Sequence, residues 1–260
     1  MTPAPVEPVA AAAPPFRGPT MMTQDWKDAA FLHWAVDPAE VAPFLPPGVR
    51  PDVHEGVTYV GLIPFRMVGA GVSRGPSIPF FGTFLETNVR LYTVDGRGRR
   101  GIVFRSLDAD RLAVVLGAQA AFGLPYRWAR MSFRHADGEL TYRATTIVGG
   151  HRSVVRIRPG APVTDGLTTF LTARWGLHER HLGLGLYVPN VHEPWPLRTA
   201  ELTAFDDELV AAAGFPQLAG RAPDLVHYSP GVSVRFGLPG GRPSPALPSP
   251  SPARGEPSHH

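Results

Sequence analysis

Phe84-Leu85-Glu86-Thr87-Asn88-Val89-Arg90-Leu91-Tyr92 is the stretch on which the fold turns. Its apolar residues are Val, Leu, Phe and Tyr, it holds no Gly or Pro, and its composition predicts a β-strand. In an extended chain residues two apart share a face, so Glu86, Asn88 and Arg90 stand in one row, a carboxylate, an amide and a guanidinium. Leu85, Val89 and Leu91 occupy the opposite face. An outward row would be an ordinary solvated surface. An inward row would line the interior of a closed sheet, where buried charges persist only when paired or used. Alternation alone leaves both readings open.

The neighbouring segments repeat the pattern. Val57–Phe65, Thr83–Val94, Gly101–Leu107, Arg127–Arg134, Leu140–Val148 and Ser153–Ile157 are short and rich in Val, Ile, Tyr and Phe. Asp95-Gly96 and Asp137-Gly138 fall between successive segments and carry the residue types of tight hairpin turns. Asp37-Pro38-Ala39-Glu40 has the cap, the first-turn proline and the acid of a capping box, and predicts a short helix to about Leu45. Residues 110–122 predict a longer helix, with shorter ones over Gly166–Trp175 and Asp206–Ala213. The fold class expected is α+β, a mainly antiparallel barrel or cone with a few short helices packed on it.

Composition bounds what such a chain does. The 260 residues hold 30 Pro, 28 Gly and no Cys, and Lys27 is the single lysine among 25 basic side chains. Without cysteine there is no disulfide, zinc-thiolate site or thiol nucleophile. The formal charge of +3 is small and unclustered, which argues against a nucleic-acid footprint. Residues 1–22 and 237–260 are rich in Pro, with Ala in the first and Ser and Gly in the second, and are expected to be disordered tails around one domain at 23–236. Residues 1–22 have no signal-peptide pattern, Met21 and Met22 are alternative starts, and no apolar run reaches transmembrane length. A cytoplasmic protein without membrane or nucleic-acid partners is the expectation, with homo-oligomer formation left open.

Three motifs match a pattern and fail its context. Gly96-Arg97-Gly98-Arg99-Arg100-Gly101 has the dinucleotide-binding spacing but leads into a strand, where phosphate binding needs a helix N-terminus. Gly71-Val72-Ser73-Arg74-Gly75 has the nucleophile-elbow spacing, but Pro76 and Pro79 forbid the helix that must follow. His178-Glu179-Arg180-His181 reads as a strand leading into Leu184–Val188, with its two histidines on opposite faces, so no metal site is expected. His192-Glu193-Pro194-Trp195 reads as a stiff turn.

A longer series carries a resemblance. Gln24-Asp25-Trp26-Lys27-Asp28 and Phe31-Leu32-His33-Trp34 are followed by Asp37-Pro38-Ala39-Glu40-Val41 and Leu45-Pro46-Pro47-Gly48. Val60-Gly61-Leu62-Ile63-Pro64-Phe65-Arg66-Met67, the Phe84–Arg90 strand and Phe122-Gly123-Leu124-Pro125-Tyr126 come next. His192-Glu193-Pro194-Trp195-Pro196-Leu197 and His227-Tyr228-Ser229-Pro230-Gly231-Val232 complete it. In this order, over roughly 22–237, the series resembles the YqjF-like family of uncharacterised bacterial proteins. That family looks related in fold to acetoacetate decarboxylase, whose barrel encloses a pocket with a Schiff-base lysine. The resemblance sets Lys27 near a basic position of that pattern, Glu86 at its strand glutamate and Gly123-Leu124-Pro125-Tyr126 on its lysine motif. Tyr126 stands where the nucleophilic lysine belongs, and a phenol forms no imine.

Two functions follow, and a third is weaker. A binding barrel would orient a small molecule in an apolar cavity around Glu86 and Tyr126. An enzyme without a covalent amine, a lyase, isomerase or hydrolase acting on a small keto or carboxylic acid, would use Tyr126 as acid and Glu86 as base. Lys27, His33, Arg66, Asn88 and Arg90 are the expected ligand-binding side chains, with no cofactor. A structural partner protein is the third reading.

Overall fold

The computed structural model describes residues 4–15, 18–72, 82–112, 123–181 and 184–240. Its strands are β1 (Thr20–Val36), β2 (Val49–Pro51), β3 (Thr58–Val72), β4 (Phe84–Asp95), β5 (Arg100–Ala109) and β6 (Tyr126–Ala136). They continue with β7 (Glu139–Thr146), β8 (Arg152–Pro162), β9 (Gly176–His181), β10 (Leu184–His192), β11 (Arg198–Asp207) and β12 (Leu225–Gly237). Helices α1 (Pro38–Val41), α2 (Gly166–Thr172) and α3 (Leu209–Ala212) are short.

One sheet contains all twelve strands, in the order β10-β9-β5-β6-β7-β8-β11-β12-β1-β3-β4-β2. Additional pairings join β5 to β4 and β10 to β12, so the order turns back on itself. One run of pairings passes from β5 through β6, β7, β8, β11, β12, β1, β3 and β4 to β5 again. The other leaves β5 through β9 and β10 and rejoins the shared strands at β12. All pairings are antiparallel except β5 with β6 and β5 with β9.

The shared strands are covered on both faces. Val89 and Leu91 of β4 pack with Leu32, Trp34, Leu62, Leu140 and Ile157 in one apolar cluster. Tyr92, on the other face, packs with Ile102, Phe170, Val188 and Phe236. Phe84 joins Phe31, Phe65 and Leu197 in a third cluster. The Glu86-Asn88-Arg90 row therefore has no solvent face: the three residues are 3%, 5% and 5% exposed.

Local chemistry explains the elements. Asp95 accepts from the backbone N–H groups of Arg97 and Arg99 at 2.9 Å each and fixes the β4–β5 turn. Asp137 and Gly138 take φ of 55° and 74°, the left-handed pair that a two-residue hairpin between β6 and β7 requires. Asp37 caps α1 through the capping box, and the helix gives way to a 3-10 turn at Ala42–Phe44. β11 runs to Asp207, so the helix expected over Asp206–Ala213 begins only at Leu209.

Within β1, Asp28 takes a φ of 49°. The pairing with β3 shifts register between Lys27 and Leu32. Three partners hold that kink: Arg66 Nε donates to the Asp28 carboxylate at 2.7 Å, Tyr228 donates to it at 3.1 Å, and Tyr142 donates to the Asp28 carbonyl at 2.7 Å.

Residues 113–122 lie outside the described residues, and with them most of the helix expected over 110–122; so do residues 73–81, which hold the serine of the elbow-like motif. The first tail is described over part of its length. β1 begins at Thr20, and residues 4–15 carry no regular secondary structure yet touch the sheet. Glu7 N–H donates to the Gly98 carbonyl at 2.9 Å, Arg100 Nε donates to the Glu7 carbonyl at 2.7 Å, and Trp175 Nε1 donates to the Ala10 carbonyl at 3.2 Å. Backbone groups find partners here without an apolar core of their own.

Candidate functional site

Glu86 lies on β4 beside the last residue of β5, and Tyr126 opens β6 after the connection from β5. On β4, Glu86 lies opposite Phe65 of β3 and Ala109 of β5, two apolar neighbours on its own face. β6 starts at Tyr126, and its parallel pairing with β5 at Leu107 carries the phenol toward β4. The Tyr126 hydroxyl donates to Glu86 Oε2 at 2.8 Å. Burial pushes the Glu86 carboxyl up to about 7, against the hydrogen bonds from Tyr126 and Asn88, which lower it. Burial, and then the adjacent carboxylate, hold the Tyr126 phenol well above its ordinary value. At neutral pH the pair shares one proton easily moved on the glutamate and one firmly held on the tyrosine.

Tyr126 also lines a cavity of ≈ 70 Å³. The walls come from the start of β1 (Met21, Met22, Gln24, Trp26), from β5 (Phe104, Leu107), from β9 and β10, and from Phe236 of β12. That volume exceeds the roughly 10–15 Å³ that one water needs. The walls are almost wholly apolar, the polar exceptions being Gln24, Tyr126 and Glu179.

The other expected residues divide between this region and elsewhere. Asn88 hydrogen-bonds Glu86. Arg90 Nε donates to the Tyr92 hydroxyl at 3.0 Å, and its NH2 group donates to the Leu171 carbonyl at 3.1 Å. His33 Nε2 and the Tyr92 hydroxyl are 2.6 Å apart, a contact that Gly61 makes room for. Burial and the nearby Arg90 charge push the His33 ring well below its ordinary value, so it is neutral. Arg90, Tyr92 and His33 thus form a second buried polar group farther along β4, and none of the three is among the described residues lining the cavity.

Arg66 and Lys27 sit apart from the cavity. Arg66 pairs with Asp28 at 2.6 Å and lies over the Phe133 ring, 5.1 Å from its centroid. Its place opposite Leu85 puts it on the face away from Glu86. Lys27 follows Trp26, which lines the cavity, so strand alternation turns the lysine to the other side. No group of three or more His, Asp or Glu with metal-binding geometry occurs among the described residues. His178 and Glu179 lie on β9 as a strand reading requires.

Glu179, part of the His178–His181 stretch, was not among the expected site residues. It is 7% exposed on β9, and it lines the cavity. One oxygen accepts from the Phe104 backbone, while Oε1 has no hydrogen-bond partner among the described residues. Burial pushes this carboxyl up to about 8. Its sequence signal is the spacing Leu177-x-Glu179 on β9, followed by the apolar Leu186 and Val188 that pair with these two residues from β10.

The family follows from comparison with known proteins. A family model described as an uncharacterised conserved protein, DUF2071, matches residues 23–233. The chain belongs to that family. The DUF2071 chain is 30% identical over 226 residues to the uncharacterised protein YqjF of Bacillus subtilis, covering 83% of this chain and 90% of the relative. Among solved structures it is similar to an acetoacetate decarboxylase-like enzyme from Sphingomonas wittichii, with a TM-score of 0.61 at 12% identity over 85% of this chain and 92% of that one. Acetoacetate decarboxylase from Legionella pneumophila gives a TM-score of 0.58 at 14% identity, covering 91% and 90%. The enduracididine biosynthesis enzyme MppR, in complex with the condensation product of pyruvate and imidazole 4-carboxaldehyde, gives 0.56 at 16% identity, covering 93% and 97%. At these identities the likeness establishes the fold, an acetoacetate decarboxylase-like one made mostly of strands. Among the described residues no helix is long and apolar enough to cross a membrane.

Proposed function

We propose that this DUF2071 chain binds a small, largely apolar molecule in the cavity between β1, β5, β9, β10 and β12, with the Tyr126–Glu86 pair at one polar end. The observation that carries the reading is the 2.8 Å Tyr126–Glu86 hydrogen bond at the wall of an otherwise apolar cavity. Buried, convergent polar groups at an apolar concavity fix a ligand's orientation while its body supplies the affinity. The reading takes the sheet as a closed barrel or cone, supported by the two pairings that return its order onto itself. It includes a cytoplasmic, membrane-free protein, supported by the absence of a spanning helix among the described residues. The resemblance that sets Tyr126 on the lysine motif of acetoacetate decarboxylase supports a role without amine-dependent decarboxylation.

The test is a thermal-shift screen of small keto compounds, aromatic compounds and lactones against the wild type and Tyr126→Phe. Stabilisation by at least one chemical class is expected, with affinity falling about fivefold or more in Tyr126→Phe as a hydrogen bond of about 1 kcal/mol is lost. No stabilisation by any class sinks the proposal.

A second reading, acid–base catalysis on a small keto or carboxylic acid, is favoured by one observation. The Glu86 carboxyl lies at about 7, where a general base works best near neutral pH. It predicts exchange of a bound ketone's α-protons with D₂O, followed by NMR and lost in Glu86→Gln. Binding without exchange leaves the binding protein.

A further inference from the structure

We propose that the outward face of β6, β7 and β8 docks a single-stranded nucleic acid, its phosphates on Arg130, Arg134, Arg143, Arg152 and Arg156 and a base on Trp128. This surface is separate from the cavity, and its role does not depend on what the cavity binds.

Strand alternation builds the face. Met131 and Phe133 of β6, Leu140, Tyr142 and Ala144 of β7, and Val155 and Ile157 of β8 belong to one apolar cluster. The residues between them therefore point away from it. Register sets those residues in three rows across the strands: Arg130-Thr145-Arg152, Ser132-Arg143-Val154 and Arg134-Thr141-Arg156. Four arginines stand at the corners and Arg143 at the centre. Thr145 is flanked by Arg130, Arg143 and Arg152, and Thr141 by Arg134, Arg143 and Arg156. Neighbouring positions are roughly 7 Å apart along a strand and about 5 Å apart between strands, so a phosphate above either threonine lies within reach of three guanidinium forks. Along the sequence these arginines are spread over three strands and the charge looks unclustered; pairing gathers it.

None of the nine positions carries an acid. Arg130, Arg134, Arg143 and Arg152 are exposed, and their side chains make no ion pair among the described residues. The acids at the rim are engaged elsewhere or stand aside. Glu139 binds Arg158 at 2.7 Å and reaches Arg156 only at 4.0 Å, and Glu201 binds Arg158 at 3.0 Å. Glu208 accepts from the Arg152 backbone N–H at 2.8 Å, and Asp206 lies opposite Val154 on β11. The stretches outside the described residues add a single acid, Glu256. Like charges grouped on a sheet face oppose one another, and an anionic partner reverses that cost.

Trp128 selects among anions. Two residues before Arg130 on β6, it shares that face and keeps 41% of its surface exposed. Its carbonyl accepts from the Ile147 N–H at 2.9 Å, which sets it at the Thr145 end of the rows. A nucleic acid strand brings a phosphate with every nucleotide and a planar base that stacks on an exposed aromatic ring. An acidic peptide brings the charge without the base. Ile147 and Val148 are exposed beyond Trp128, at one end only, whereas the arginines run the length of the face as a chain of phosphates does.

The experiment uses the full chain with labelled oligothymidylate and oligouridylate of about 12 nucleotides, followed by fluorescence anisotropy at low salt. Binding is expected, the tighter strand distinguishing DNA from RNA, with log K falling against log salt at a slope of about −2 to −3 for three or four phosphates neutralised. Arg143→Gln should flatten that slope by about 0.7. Arg97→Gln, which removes the same charge from the β4–β5 turn, should leave it unchanged. Trp128→Ala should weaken the strand about fivefold or more and change inorganic polyphosphate by less than about twofold. No binding at low salt overturns the proposal, as does an Arg143→Gln slope equal to the wild type's or a Trp128→Ala loss equal for strand and polyphosphate. Poly-glutamate of matched charge, or phosphatidylserine vesicles, binding more tightly than either strand overturns it in favour of an acidic protein or a lipid surface. That wild-type comparison decides the matter alone should a variant not fold.

Discussion

At the scale of single residues, Glu86 shows most directly what burial does. A carboxyl with a raised folded pKa holds its proton more tightly folded than unfolded. Its contribution to stability is therefore full below the ordinary carboxyl range and is lost as pH rises toward the folded value. Glu86 at about 7 and Glu179 at about 8 both make stability fall as pH rises through that window. His178 and His192, each lowered to about 4 mainly by burial, act in the opposite sense and lose their contribution as pH falls below the ordinary imidazole value. Between about pH 5 and about pH 7, the wild type should lose up to about 1.4 kcal/mol per pH unit relative to Glu86→Gln. Urea denaturation of both proteins across that range checks it; parallel stability curves would falsify the assignment. Residue identity grouped Glu86 and Tyr126 with Lys27 and Arg66; the structure joins Glu86 to Tyr126 by a hydrogen bond and sets apart Lys27 and Arg66. Their side chains turn elsewhere because one left-handed residue, Asp28, kinks β1 and binds Arg66 on the far face. Glu179 escaped notice because a carboxylate on a strand looks solvated until the neighbouring strands are known.

At the scale of elements, local chemistry was strong where turns are tight. The Asp137-Gly138 hairpin and the Asp37 cap form as their residue types demand, because each depends on a few adjacent groups, while Asp95-Gly96 opens a longer turn whose left-handed residue is Gly98. β1 was harder to read. It runs from Thr20 to Val36 through polar residues and a kink, and partner strands β3 and β12 hold it. Its closest backbone approach is at Gly231, where φ is 125° and a Cβ would lie 1.9 Å from the Trp26 carbonyl oxygen. Gly231→Ala is therefore expected to part β1 from β12 locally and to cost about 3 kcal/mol or more. The urea midpoint reports that cost, and a shift within error of zero rejects the packing argument.

At the scale of the whole molecule, distant segments are tied by charge as well as by apolar contact. Asp52, after β2, accepts from both Arg100 of β5 and Arg174, which follows α2. Arg174 is buried, and its guanidinium lies over the Phe170 ring, 4.2 Å from the centroid. Asp52→Ala would leave that buried cation without its counter-charge and should cost about 3–5 kcal/mol. Thermal and urea unfolding measure it; a loss under about 1 kcal/mol would show that Arg174 finds compensation elsewhere.

The amino-acid order determined the class of structure, its short strands and tight turns, and the chemistry unavailable to it. No thiol exists, and Lys27 is the single lysine. Those conclusions depend on residue identity and on interactions between near neighbours. Which face of β4 meets solvent was decided only by tertiary structure, because an alternating strand is compatible with either. The additional pairings β5–β4 and β10–β12 turn the strand order back on itself, both faces of β4 are covered, the Glu86 row is buried, and Tyr126 and Glu179 line one apolar cavity. Desolvation, which belongs to the assembled fold and not to any residue, then moves those carboxyls into the range where a neutral-pH ligand or proton responds to them.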